Sequence, residues 1–189
     1  MTAKKIDHSR TLEVKPRRLD VKTGKKNKQL GKAAAVRGVK GKILAINYTK
    51  GLDAIWNKSM DRLTPEKHET RTDAISIDMS KIRLTDTREK GEPCVGGEKN
   101  LKRLLARKGE VQLDAYVLLA LYQRPELIPK EWENYSRIFF WGTIFRGEGG
   151  HYRYVAYLYR LGDTWCYHYR SFNTYWFPDE PAASLASSP

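Results

Sequence analysis

Between residues 165 and 170 the chain alternates Trp165, Tyr167 and Tyr169 with Cys166, His168 and Arg170. A period of two is the side-chain period of a β-strand, so the three aromatics share one face and the thiol, imidazole and guanidinium share the other. The aromatic row is core material, worth roughly 1.5 to 3 kcal/mol for each fully buried side chain. The mixed row is costly to bury unpaired, so it is expected to face solvent or a ligand. Of the 21 Phe, Trp and Tyr residues, 17 lie between Trp132 and Phe177, which places most of the core in the last third of the chain.

Patterns around this strand extend it into a sheet. Residues 137–146 are rich in β-branched and aromatic side chains, Gly147, Gly149 and Gly150 supply turn chemistry, and residues 152–159 read as a second strand. Leu161-Gly162-Asp163 is a second tight connection, giving a three-stranded antiparallel meander with 165–170. Upstream, Leu113, Val117 and Leu121 recur at four-residue spacing and predict a core-facing helix over 111–122, with Pro129 opening a short helix through Trp132. Residues 100–108 predict a basic helix after a loop marked by Pro93, Gly96 and Gly97. Residues 42–48 read as a strand, 51–63 as a short helix, and 74–80 with 81–85 as one or two half-buried strands. The expected fold is α+β: a C-terminal antiparallel β-sheet with packed helices over 99–189, a small mixed α/β segment over 43–98, and a basic arm over 1–42.

The arm carries most of the formal charge of +13, with 14 Lys or Arg against three acids in its 42 residues. It has no aromatic residue and cannot offset its ordering entropy by apolar burial, so it is expected to be disordered alone. Lys15, Arg17, Arg18, Lys22, Lys25, Lys26, Lys28 and Lys32 are its candidate polyanion-binding residues, for a nucleic-acid backbone or an acidic partner; a solubilising tail is the plainer reading. No apolar run approaches the ~20 residues of a membrane span, and Met1-Thr2-Ala3-Lys4-Lys5 is not followed by an apolar signal core. The default expectation is therefore intracellular, with surface display still compatible. Cys94 and Cys166 lack CxxC spacing, which points to neither zinc nor a disulfide framework. His8, His68, His151 and His168 are scattered outside any hydrolase, zinc or phosphate-loop motif, so no cofactor, metal or enzymatic activity is expected.

The elements Gln112-Leu113-Asp114-Ala115-Tyr116-Val117-Leu118, Leu127-Ile128-Pro129-Lys130-Glu131-Trp132, Phe139-Phe140-Trp141-Gly142-Thr143-Ile144-Phe145-Arg146 and Tyr157-Leu158-Tyr159, with the tail through Ser187, carry a family resemblance. Over residues 109–187 the chain resembles variable target proteins of diversity-generating retroelements, in which a reverse transcriptase copies a template repeat with errors at adenines. The resemblance implies a Trp/Tyr framework interspersed with positions of adenine-rich Asn codons. Those positions hold Cys166, His168, Arg170, Thr174, Phe177, Asp179 and Glu180 here. Randomising the first two bases of an Asn codon reaches every one of these residue types except Glu, so Glu180 departs from the pattern. The Trp codon contains no adenine, which makes Trp165 and Trp176 immune. Tyr167, Tyr169 and Tyr175 fit either class. Retroelement targets are often C-type-lectin-like, an analogy that implies a fixed backbone displaying variable side chains.

The resemblance thus implies a ligand-binding display protein whose hypervariable contact surface, within the tail 165–181, is Cys166, His168, Arg170, Thr174, Tyr175, Phe177 and Asp179. Its partner would be a protein or other macromolecule. The competing expectation is a nucleic-acid-binding protein whose arm grips phosphates while Tyr152, Tyr154, Tyr157, Tyr159, Tyr167 or Tyr169 stack on bases.

Overall fold

The computed structural model of the chain describes residues 41–49, 52, 63–67, 75–147 and 149–186. The eight arm cations, His68 and all of the expected helix over 51–63 except Leu52 and Leu63 lie outside them. The described residues are α+β, in the order β1 (Ile43–Ala45), β2 (Thr64–Lys67), β3 (Ser76–Asp78), β4 (Ile82–Thr85), β5 (Val95–Gly96), α1 (Gly97–Leu105), β6 (Glu110–Gln112), α2 (Ala115–Gln123), β7 (Ile138–Arg146), β8 (Arg153–Leu161), β9 (Thr164–Ser171), β10 (Tyr175–Trp176) and β11 (Ala182–Ala186).

The expected meander is present: β7, β8 and β9 pair antiparallel in sequence order. What the local pattern did not show is β11. The tail turns back and inserts between β4 and β7, giving the order β4-β11-β7-β8-β9, with β2 also on β7 and β6 also on β11. β11 is antiparallel to β4 and β6 and parallel to β7 at Ala182 and Phe139. The segment 43–98 therefore shares a sheet with the C-terminal region through β4, and a second small sheet joins β5 to β10.

Two element boundaries differ from expectation for one reason, long-range pairing. Val111 and Gln112, expected in the helix, belong with Glu110 to β6 against β11, and α2 starts only at Ala115, where the Asp114 carboxylate accepts from the Tyr116 and Val117 N–H groups at 3.0 and 3.1 Å. Val95 and Gly96, expected in a loop, pair with β10, and α1 begins at Gly97 rather than Asn100. Only glycine fits there: a Cβ on Gly97 would lie 2.7 Å from the Phe172 carbonyl oxygen and 2.9 Å from a Trp176 ring carbon.

A register shift between Phe140 and Ile144 bulges β7 and makes room for the start of α2. There Gly142 N–H donates to the Leu113 carbonyl at 2.9 Å, and the Thr143 hydroxyl accepts from Ala115 N–H at 3.1 Å. The sheet divides the core in two. One sheet face buries Ile138, Phe140, Phe145, Ala156, Leu158, Trp165 and Tyr169 with α2, Leu44 and Ile77. The other buries Phe139, Trp141, Ile144, Val155, Phe172 and Trp176 with Val95, Leu101 and Leu104.

Candidate ligand-binding face of the sheet

Both faces of β7–β8–β9 carry aromatics, but only part of the second is covered. The register sets Tyr159 opposite Cys166, Tyr157 opposite His168 and Val155 opposite Arg170, and period two puts all six on the face away from α2. Val155 lies under the Trp141–Trp176 cluster. Tyr157, Tyr159, Cys166 and His168 stay half-buried beyond its edge, with Arg137, just before β7, beside them. The rings form a loose row: Tyr157 and Tyr159 centroids are 5.7 Å apart, Tyr157 and His168 6.1 Å, and the Arg137 guanidinium is 5.5 Å from the Tyr157 ring centre.

The segment after β9 rims this row. Thr174 Oγ1 donates to the Ser171 carbonyl at 2.7 Å, closing a turn. β10 then sends Trp176 into the core and Tyr175 outward. Tyr175 is 61% exposed and Phe177 48%, and Thr174 and Asp179 are also exposed.

An ion cluster fastens the rim to the sheet. The Glu180 side chain is only 2% exposed and accepts from Arg170 Nη1 and Nη2 at 2.6 and 2.8 Å, from Arg137 Nη1 at 2.7 Å and from Phe177 N–H at 3.1 Å. Arg170 also donates to the Tyr175 carbonyl at 3.2 Å, and its guanidinium lies 5.2 Å from the Phe139 ring centre and 5.7 Å from that of Trp176. Burial pulls the Arg137 pKa down, but the Glu180 carboxylate and Tyr157 hydroxyl more than offset it, so the net shift is upward. Burial, helped by Cys166 and Tyr157, pushes the Tyr159 phenol up. Both groups keep their protons at neutral pH and can donate hydrogen bonds.

The seven expected contact residues thus fall into three groups. Thr174, Tyr175, Phe177 and Asp179 are exposed on the rim, and Cys166 and His168 are half-buried on the sheet. Arg170 does not present a free guanidinium; it is 16% exposed and bonded to Glu180. Of the expected framework, Trp165, Tyr169 and Trp176 are buried, whereas Tyr167 is half-buried and meets Tyr122 edge-on at 4.8 Å. Arg137, Tyr157 and Tyr159 join the face from outside the tail. The signal for the tyrosines was present in the alternation Val155-Ala156-Tyr157-Leu158-Tyr159; nothing local marked Arg137.

The tyrosine set weighed for base stacking does not form one platform. Tyr157 and Tyr159 share the open face, while Tyr154, Tyr167 and Tyr169 pack against the α2 side. The basic helix is largely neutralised as well: Arg103 pairs with Glu89 and Glu92, Lys99 with Glu92, and Arg107 with Glu110. Among the described residues no group of three or more His, Cys, Asp or Glu is placed to hold a metal, and no helix is long and apolar enough to cross a membrane. Cys94 and Cys166 are free thiols. Compared with protein-family models, curated proteins and solved structures, the chain finds no match.

Proposed function

We propose that this chain is a ligand-binding display protein whose C-terminal surface is diversified by retroelement-type mutagenesis at adenines. One observation carries the reading: along the rim from 174 to 179 codon class and exposure agree, while Cys166 and His168 are half-buried and Arg170 is bonded to Glu180. Thr174, Phe177 and Asp179, within reach of an Asn codon, are exposed, as is Tyr175 beside them, while the adenine-free Trp165 and Trp176 are buried. Substitution on such a rim leaves the core intact, since surface changes away from special contacts usually stay within about 0.5 kcal/mol. Arg170 serves this surface as support for the rim. The proposed role is binding, without a catalytic step, and the partner is a protein or other macromolecule.

The test is the DNA beside the gene. A near-identical copy of the segment encoding 165–181, differing mainly at adenines and accompanied by a reverse-transcriptase gene, is the expected finding. Its absence would remove diversification and leave an ordinary binding module.

A nucleic-acid reading has one observation in its favour, the half-exposed Tyr157, Tyr159 and His168 row beside Arg137. The paired cations of α1 and the exposed Asp179 at the same face count against it. Affinity for single-stranded and duplex nucleic acid, measured against salt, decides: no binding at ~50 mM salt disposes of a phosphate-gripping role.

A further inference from the structure

We propose that Arg137, Tyr157 and Tyr159 form a fixed subsite for a carboxylate side chain of a protein partner. The proposal rests on reading this face as a contact surface, not on how the tail varies. All three residues lie outside 165–181, so any variant of the tail would keep them.

The subsite is rich in donors. A guanidinium offers five N–H groups in a planar fork matched to a carboxylate, and Arg137 uses Nη1 on Glu180 while its side chain remains 38% exposed. Glu180 is also held by two bonds from Arg170 and one from Phe177 N–H, so the cluster does not require all of Arg137. Tyr157 and Tyr159 flank it; the Tyr157 hydroxyl accepts from Arg137 and the Tyr159 hydroxyl donates to Cys166, and each O–H can turn to an incoming carboxylate.

Charge points the same way. The half-buried layer holds two guanidiniums and one carboxylate, an excess of one positive charge at reduced dielectric. The exposed Asp179 is tied next to Arg137 by Ser136, whose N–H donates to the Asp179 carbonyl at 3.0 Å. Its own carboxylate sits in water, where its field is screened. One acid at the rim is compatible with a single incoming carboxylate but opposes a continuous phosphate chain.

The experiment is side-chain NMR on the full chain, following Arg137 Nε–H and the Tyr157 and Tyr159 rings. The probes are N-acetyl-glutamate amide, N-acetyl-glutamine amide and a short oligothymidylate. Saturable shifts at these three residues are expected with the glutamate probe, with affinity reduced roughly tenfold or more by R137M. Y159F and R137K, which spare the fold, are expected to weaken it several-fold, the lysine because it loses the fork. Equal shifts with the glutamine probe, full affinity in Y159F and R137K, or stronger shifts with oligothymidylate would overturn the proposal. None of these outcomes bears on the template repeat, so failure here is distinct from failure of the display reading.

Discussion

Removing the Glu180 carboxylate tests how the rim is held. In Glu180→Ala, Arg170 loses two charge-assisted bonds and its only anionic partner among the described residues, beneath the Phe139 and Trp176 rings. Breaking a buried ion pair by deleting one partner costs about 3–5 kcal/mol. Arg170 at 16% exposure retains some solvent, so the lower end, about 3 kcal/mol, is expected. At roughly 2–4 °C per kcal/mol for a body of this size, that is a fall in Tm of about 6–12 °C. Arg137→Met should cost no more than about 1 kcal/mol, because that guanidinium is 38% exposed. Replacing both Arg170 and Glu180 with Met should recover most of the loss, since two apolar groups leave no charge stranded. The assay is denaturant unfolding of the wild type, Arg170→Met, Glu180→Met and the double variant, combined as a double-mutant cycle, with Glu180→Ala and Arg137→Met measured beside them. A Glu180→Ala loss below about 0.5 kcal/mol, or a coupling energy near zero, would refute the clamp.

Trp176→Ala should cost about 3–5 kcal/mol, against changes within about 0.5 kcal/mol for Thr174→Ser, which keeps the turn hydroxyl, and Asp179→Ser; thermal unfolding of the three variants checks the framework–surface division. Gly97→Ala should cost about 1–3 kcal/mol by forcing apart the α1 terminus and the Phe172 backbone, read from the denaturation midpoint. Asp114→Ala should lose at least about 1 kcal/mol and fray the first turn of α2, visible as faster amide exchange at Tyr116 and Val117. The carboxyls of Glu92, held down by Arg103 and Lys99, and of Glu110, held down by Arg107, have folded pKa values below the ordinary carboxylate range. Their stabilisation is fully present above about pH 4–5 and disappears as pH falls through the depressed values, so the stability difference between wild type and Glu92→Gln should vanish in strong acid.

What the sequence determined by itself is periodic and local. The alternation at 165–170 fixed a strand with Trp165 and Tyr169 inward, the glycines at 149, 150 and 162 fixed its turns, and Pro129 marked the turn that buries Trp132. These features survive because side-chain period and turn conformation depend only on neighbouring residues. The exposed rim was expected only through the family resemblance, whose variable positions Thr174, Phe177 and Asp179 lie on it. Tertiary structure alone decided the rest. Ala182-Ala183-Ser184-Leu185-Ala186 has little strand character, yet it becomes a central strand because β4, β6 and β7 satisfy its backbone from both sides. The same long-range pairing shortened the helix at 111–122 and made strands of 95–96. Arg170 and Glu180 belong to opposite expectations in sequence, a contact residue and a departure from the pattern. They proved to be one ion pair, since a buried charge is tolerated only with a partner, and the chain folds across ten residues to supply it.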